Sequence, residues 1–283
     1  MKKIVVVVGM HRSGTSVVAH AMQTLDISLG DHLMDPHPCN PKGFFEDIDF
    51  YEMNERLLHA LEQGWSSVTP IPAESFAPLR KTYSDEAIQL VRNKIDRAML
   101  FAFKDPRTAV LLPFWIDIFS ILKLKVKYIY VFRNPLAVAE SLRVRDGFSL
   151  HKGILLWSKY NISALAWVSR RNCIFVDYDT LMADPAGQLS RLEVFVSTTV
   201  LQPERDSFFT EFLDASLRHS VYTEKELRAI PDLPEQVVHI YHELMEAAIN
   251  NSGKLLVWKN VNKWERWFTQ LSFYLSALDA CNQ

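Results

Sequence analysis

Apolar residues in the first two thirds of the chain come in short runs that do not alternate with polar ones. IVVVV at 4–8 is unbroken, and MLFAFK at 99–104, VKYIYVF at 126–132 and CIFVDY at 173–178 carry a single charged residue each, at or next to an end. Such runs predict strands buried on both faces, as in a parallel sheet. Between them the spacing changes to a helical one. Apolar positions 17, 18, 21, 22 and 25 follow a glycine loop, and helices are expected over 48–62, 85–98, 108–122, 135–145 and 152–170. Pro113 predicts a kink or a late start in its helix, whereas Asn134-Pro135 is an N-cap followed by a favoured first residue. After 178 the stretch DTLMADPAGQLSRLEVFV turns into helix and restarts at Asp184-Pro185. Residues 26–47 and 64–80 carry glycine, proline and asparagine signals and read as irregular; loops this long tend to serve function. Beyond 200 the strand pattern stops, and helices are expected at 224–230, 235–250 and 254–278.

Strands alternating with helices define an α/β chain: a P-loop NTPase-like three-layer α/β/α arrangement around a parallel sheet. A single domain over 1–283 is expected, with a nucleotide-binding core at 1–197 and a helical C-terminal extension at 198–283. Composition narrows the function. With 48% apolar and 23% charged residues the chain is neither disordered nor low-complexity. The formal charge of −2 gives no global field for nucleic acid or anionic lipid, so any anion must be held by a local cluster. Cys39, Cys173 and Cys281 are too few and scattered for a disulfide framework or zinc site, which suggests a reducing compartment, the cytoplasm. No secretory leader or membrane span is legible.

Three expected strands end in anion-seeking residues: the first in GMHRSGTS (9–16), the second at Lys104, the third at Arg133. Ligands of such sheets sit beyond the carboxyl ends of the strands, so the three should converge. Residues 9–16 fit the frame Gly-x-x-x-x-Gly-Lys-Ser/Thr except at one place. Gly9, Gly14 and the hydroxyl of Ser16 are present, but Thr15 replaces the lysine that reaches the β- and γ-phosphates. Arg12, inside the loop, supplies a forked cation instead. The loop N–H groups and a helix N-terminus still suit a phosphate-like group. Farther on, Ala137, Ser141 and Arg145 share one helical face, flanked by Arg133, and could hold a second phosphate. A nucleoside or nucleotide kinase with an altered loop, or a non-catalytic nucleotide-binding module, are the competing readings.

RSGTS in the first loop, Lys104-Asp105-Pro106 after the second strand, and Arg133 with Ser141 after the third together resemble the sulfotransferases that use 3′-phosphoadenosine 5′-phosphosulfate (PAPS). Tyr178-Asp179-Thr180-Leu181 with Asp184-Pro185 matches a further family stretch, and the pattern covers about 4–197. It is similar to the protein-tyrosine and bacterial carbohydrate-type members more than to the cytosolic phenol enzymes. The resemblance implies a 5′-phosphosulfate on Arg12, Ser13, Gly14, Thr15 and Ser16. It implies a 3′-phosphate on Arg133 and Ser141 with Arg145 assisting, and Tyr178 against adenine or ribose. No metal is implied. The acceptor would carry a hydroxyl on a saccharide, peptide or lipid-linked sugar. Two departures stand out: the histidine base of the cytosolic enzymes is replaced by Asp105-Pro106-Arg107, and their late Arg-Lys-Gly segment is missing, with Arg218-His219 as a substitute.

Transfer to a hydroxyl needs a base near the acceptor. Glu46, closing the loop in GFFED, is the leading candidate, with Asp47, His37 and Asp105 as alternatives; Lys104 and Arg12 would stabilise developing charge. Phe44, Phe45, Trp65 and Phe76 flank the expected acceptor side and could line a pocket or fill the core. Trp258, Trp264 and Trp267 are expected in a helix-packing seam. The nine histidines show no metal-binding pair.

Overall fold

The computed structural model describes residues 2–37, 40, 42–199, 202–212 and 221–281. Strands β1 (Lys3–Val8), β2 (Phe101–Lys104), β3 (Lys125–Phe132) and β4 (Cys173–Asp177) form one parallel sheet in the order β2-β1-β3-β4. The apolar runs have the expected cause. Val5 and Val7 of β1 belong to one buried cluster, and Ile4, Val6 and Val8 to another on the opposite face. The smaller cluster is covered by α1 (Thr15–Thr24). The larger is built from α2 (Ile48–Ala60), α3 (Phe76–Asp96), α4 (Thr108–Ile121), α5 (Pro135–Asp146) and α6 (Leu150–Val168). There the Phe50 and Phe103 rings stack at 4.4 Å and Trp115 lies 5.4 Å from each.

After β4 come α7 (Tyr178–Ala183) and α8 (Pro185–Val196), which return to the α1 side. Then follow α9 (Gln202–Ser207) with a π-helical turn Phe208–Phe212, α10 (Glu224–Arg228), α11 (Glu235–Ile249), α12 (Asn251–Gln270) and α13 (Ser272–Ala280). The described residues beyond 199 form no strand. Trp264 of α12 is buried in the seam, whereas Trp258 is partly exposed beneath Arg170.

Three expectations need correction. The stretch 64–80 is not all loop, because α3 begins at Phe76. Pro78 falls in its first turn, where a missing N–H costs no helical bond. Thr108 starts α4, so Pro113 lies inside the helix and does not delay it. The stretch 254–278 is two helices, broken at Leu271.

Both sheet edges are covered. On β2, Ser28 forms a parallel bridge with Phe101, and its carbonyl accepts from Ala102 N at 2.8 Å. On β4, Lys254 Nζ donates to the carbonyls of Arg171 (2.7 Å) and Cys173 (3.3 Å), and Arg191 donates to that of Phe175 (3.4 Å). Cys173 and Cys281 are free thiols, and no described helix is long and apolar enough to cross a membrane.

One buried lysine ties the protein's stability to pH. Lys159 of α6 is 1% exposed, donates to Gln63 Oε1 (2.9 Å) and the Ser67 carbonyl (2.8 Å), and is pushed down to about 7 by burial. The unfolded chain keeps that proton up to the ordinary value of 10.5. Between those two values the unfolded state binds more protons than the native one, so stability rises with pH and is flat below the native value. Urea midpoints at pH 7 and pH 9.5 should show the rise, and Lys159→Met should remove it.

Candidate functional site

Parallel register brings the carboxyl ends of the strands together. Val7 pairs with Lys104, Val8 with Tyr130, and Phe132 with Asp177. Gly9, Lys104, Arg133 and Tyr178 therefore lie along one edge of the sheet, as the strand-end reading required.

The first loop is tightly wound: Ser13 N donates to Met10 O at 3.3 Å, and Arg12 and Gly14 both have left-handed backbone, with φ 66° and 89°. Gly14 is the N-cap of α1 and supplies no side-chain cap to the first-turn N–H groups. A Cβ at Gly14 would overlap the ring of Tyr178, which explains the glycine there. The Ser13 hydroxyl is buried without a hydrogen-bond partner among the described residues. An orphaned buried hydroxyl beside an uncapped helix start is a donor set that fits an anionic group.

Arg12 Nε donates to Ser141 Oγ at 2.7 Å, joining the two expected anion sites directly. Arg133 is 7% exposed, stacks its guanidinium on the Tyr178 ring at 4.6 Å, and approaches Asp179 Oδ2 at 3.9 Å. Asn134 caps α5 through Leu136 N at 2.9 Å, as its Asn-Pro signal predicted, and its Nδ2 holds the Tyr222 carbonyl. Arg145 points elsewhere within the same region: it pairs with Asp146 at 2.8 Å and sits 5.1 Å over Trp65.

Lys104 is the meeting point of the loop and the candidate base. Its Nζ donates to Glu46 Oε1 (2.6 Å), the Phe44 carbonyl (2.9 Å) and Ser16 Oγ (3.3 Å). Left-handed backbone at Gly43 (φ 98°) and Phe45 (φ 56°) turns the chain so that Glu46 faces inward. Burial raises the Glu46 carboxyl above its ordinary value, opposed first by the charge of Lys104. Arg107 NH1 lies 3.6 Å from Glu46 Oε2 and 2.9 Å from Asp105 Oδ1, also binds Glu55, and covers the Tyr51 ring.

The alternatives to Glu46 are differently placed. Asp47 caps α2 at Asp49 N, and Lys94 Nζ sits 2.6 Å from its Oδ2. Adjacent carboxylates thus serve different cations. Asp31, Asp47 and Asp49 come close enough to share a metal ion, but the Lys94 ammonium lies 2.5–2.6 Å from all three. Asp105 is fully engaged by Arg107 and by Asn54 Nδ2 at 3.0 Å. His37 is exposed and bridged to Asn40. Cys39 and Arg218-His219 lie outside the described residues.

Asn54, Arg107 and His11 were not expected. Asn54 is wholly buried among Phe50, Met53, Leu57 and Leu58 of α2; a polar residue on that apolar face was its available signal. Its Oδ1 accepts from Trp115 Nε1 at 2.8 Å. His11 packs its ring 4.7 Å from Trp65 and 5.8 Å from Tyr160. Burial, then the charges of Arg107, Arg145, Lys104 and Arg12, hold its imidazole well below the ordinary value, so it is neutral at pH 7.

A phosphate-type loop without the lysine, facing a lysine at the end of β2 paired with a carboxylate from the loop before α2, narrows the class to which this fold belongs. The sulfotransferase family model matches residues 5–202. The chain belongs to the sulfotransferase family. No curated protein matches it in sequence. Among solved structures, the sulfotransferase domain from the curacin biosynthetic pathway shares 17% identity and a TM-score of 0.52, covering 87% of this chain and 98% of that one. The sulfotransferase domain of the Synechococcus PCC 7002 olefin synthase shares 20% identity (TM-score 0.46; 86% and 96% covered). Sulfotransferase STF1 of Mycobacterium tuberculosis shares 16% (TM-score 0.47; 78% and 74% covered). The likeness to the curacin-pathway domain is one of fold, and it agrees with the α/β, P-loop-like architecture described above.

Proposed function

We propose that the chain moves a sulfuryl group from PAPS to an acceptor hydroxyl, without a metal ion. One observation carries the reading: Lys104 Nζ joins Ser16 of the phosphate-type loop to the buried carboxylate of Glu46. A donor-binding hydroxyl, a cation and a base then share one point. Arg12, Ser13, Gly14, Thr15 and Ser16 hold the 5′-phosphosulfate. Arg133 and Ser141 hold the 3′-phosphate with Arg145 nearby, and Tyr178, stacked on Arg133, meets the ribose or adenine.

The bound donor supplies a sulfuryl group on a phosphate leaving group. The acceptor oxygen bonds to sulfur as the bond from sulfur to the bridging oxygen breaks, and adenosine 3′,5′-bisphosphate leaves with that electron pair. Glu46 receives the hydroxyl proton. Lys104 and Arg12 stabilise charge on the sulfuryl oxygens and the departing phosphate. Glu46 suits this role because burial favours its protonated form while the charge of Lys104 opposes that shift.

Thermal shifts test the donor. Adenosine 3′,5′-bisphosphate should raise the melting temperature more than ATP with magnesium, and Arg133→Ala should abolish the difference. A larger shift with ATP and magnesium would replace this reading with a kinase.

A further inference from the structure

The segment between α2 and α3 turns on itself at Gly64–Ser67 and again at Ala73–Ser75. It is also held by side chains from helices distant in sequence. Tyr160 of α6 donates to the Trp65 carbonyl at 2.7 Å, and Lys159 to the Ser67 carbonyl at 2.8 Å. Asp279, on α13, accepts from Val68 N (2.9 Å), Thr69 N (2.9 Å) and Thr69 Oγ1 (2.6 Å). Two successive backbone N–H groups and a hydroxyl on one carboxylate form a specific clamp. Backbone groups at 65, 67, 68 and 69 are thereby fixed, and what they fix is Trp65. Its half-buried indole lies against His11 of the first loop, under Arg145, with Phe148 at 5.7 Å. The other aromatic candidates differ. Phe76 is core, Phe45 packs on His20 of α1, and Phe44 offers its carbonyl to Lys104.

We propose that Trp65 contacts the acceptor and sets its class, a hydroxyl borne on a ring, and that Asp279 is the positioning residue that holds Trp65 in place. The inference rests on the sulfuryl-transfer reading. The part of the indole left exposed between His11 and Arg145 is a rigid apolar surface beside the loop that carries the donor, which suits a sugar or a phenol better than a flexible alkyl alcohol. His11, neutral and packed on that indole, puts no charge there to desolvate.

The test uses the full chain with labelled PAPS and three acceptor probes: 4-nitrophenol, N-acetylglucosamine and 1-butanol. One of the ring hydroxyls is expected to be sulfated and butanol not, and the two ring arms separate phenol from sugar. Trp65→Ala should lower kcat/KM on that ring by about ten-fold or more, with Trp65→Phe recovering part of it. Asp279→Ala should raise the acceptor KM by about five- to ten-fold with kcat and adenosine 3′,5′-bisphosphate affinity unchanged. Thr69→Val, which removes one hydrogen bond only, should move KM the same way by less, so a folding failure of Asp279→Ala does not spoil the result. The proposal is overturned if butanol is the preferred probe, if no probe is sulfated although the bisphosphate binds, or if the Asp279 and Thr69 variants weaken bisphosphate binding as much as they raise KM. Failure of the wild type to bind the bisphosphate would instead overturn the donor assignment, and this inference with it.

Discussion

Lys104→Met is expected to lower kcat/KM for sulfuryl transfer by about 10²–10³-fold, the usual cost of losing one preorganised charge-stabilising donor. The substitution keeps the length and packing of a side chain only 3% exposed, so the strand end should survive. Two losses add at one atom. The cation that faces Ser16 disappears, and Glu46 loses its 2.6 Å partner. With only Arg107 at 3.6 Å, and burial already favouring protonation, the Glu46 carboxyl moves further up and stops accepting protons. Glu46→Gln should therefore cost a large part of the same rate, and the double variant little more than Lys104→Met alone, because the two groups act as a unit. Adenosine 3′,5′-bisphosphate affinity should change only a few-fold, by roughly the range of a single hydrogen bond. Turnover within ten-fold of the parent would remove Lys104 from the chemistry.

Gly14→Ala should abolish nucleotide binding by a steric route. The residue has left-handed backbone at φ 89°, and its Cβ would occupy the space of the Tyr178 ring. Tyr178 must then move, and Arg133, stacked on it at 4.6 Å, moves with it. One methyl group thus disturbs the loop, the ring and the second anion site together. The expected loss in adenosine 3′,5′-bisphosphate affinity is about 100-fold or more, equivalent to roughly 3 kcal/mol. Gly147→Ala is the matched control: its φ is 73°, but nothing lies within 4 Å of the added Cβ. It should cost about 1 kcal/mol of stability from backbone strain alone and leave binding intact. Calorimetry and thermal melts on both variants separate strain from collision. Equal binding losses in the two would remove the Tyr178 contact from the explanation.

The fold was legible wherever burial on both faces forced an apolar run without alternation. All four strands fall where IVVVV, MLFAFK, VKYIYVF and CIFVDY placed them, because strands whose alternate side chains enter two cores carry polar residues only towards their ends, as at Lys127 and Lys104. Helix ends were less legible. Pro72 and Pro78 look alike as letters, but one precedes a helix and the other sits within its first turn. At the site, glycine spacing and strand-end cations marked the strand ends that parallel register brings together. Sequence placed Glu46 ahead of Asp47 without excluding Asp47. They are neighbours with the same chemistry, and only the turn at Phe45 sends one to Lys104 and the other to Lys94. Contacts between elements were equally hidden. Arg12 reaches Ser141 across 129 residues, and Asp279 reaches Thr69 across 210, and no local pattern encodes either.

The covered flanks of the sheet bear on how copies of this chain could meet. A bare strand margin invites a neighbouring polypeptide to continue the ladder, the usual route to uncontrolled association. Here the outward carbonyls of residues 171, 173 and 175 already accept from Lys254 and Arg191, and the opposite margin is closed by the backbone at Ser28. A second copy therefore cannot continue the ladder at these carbonyls without displacing Lys254 and Arg191.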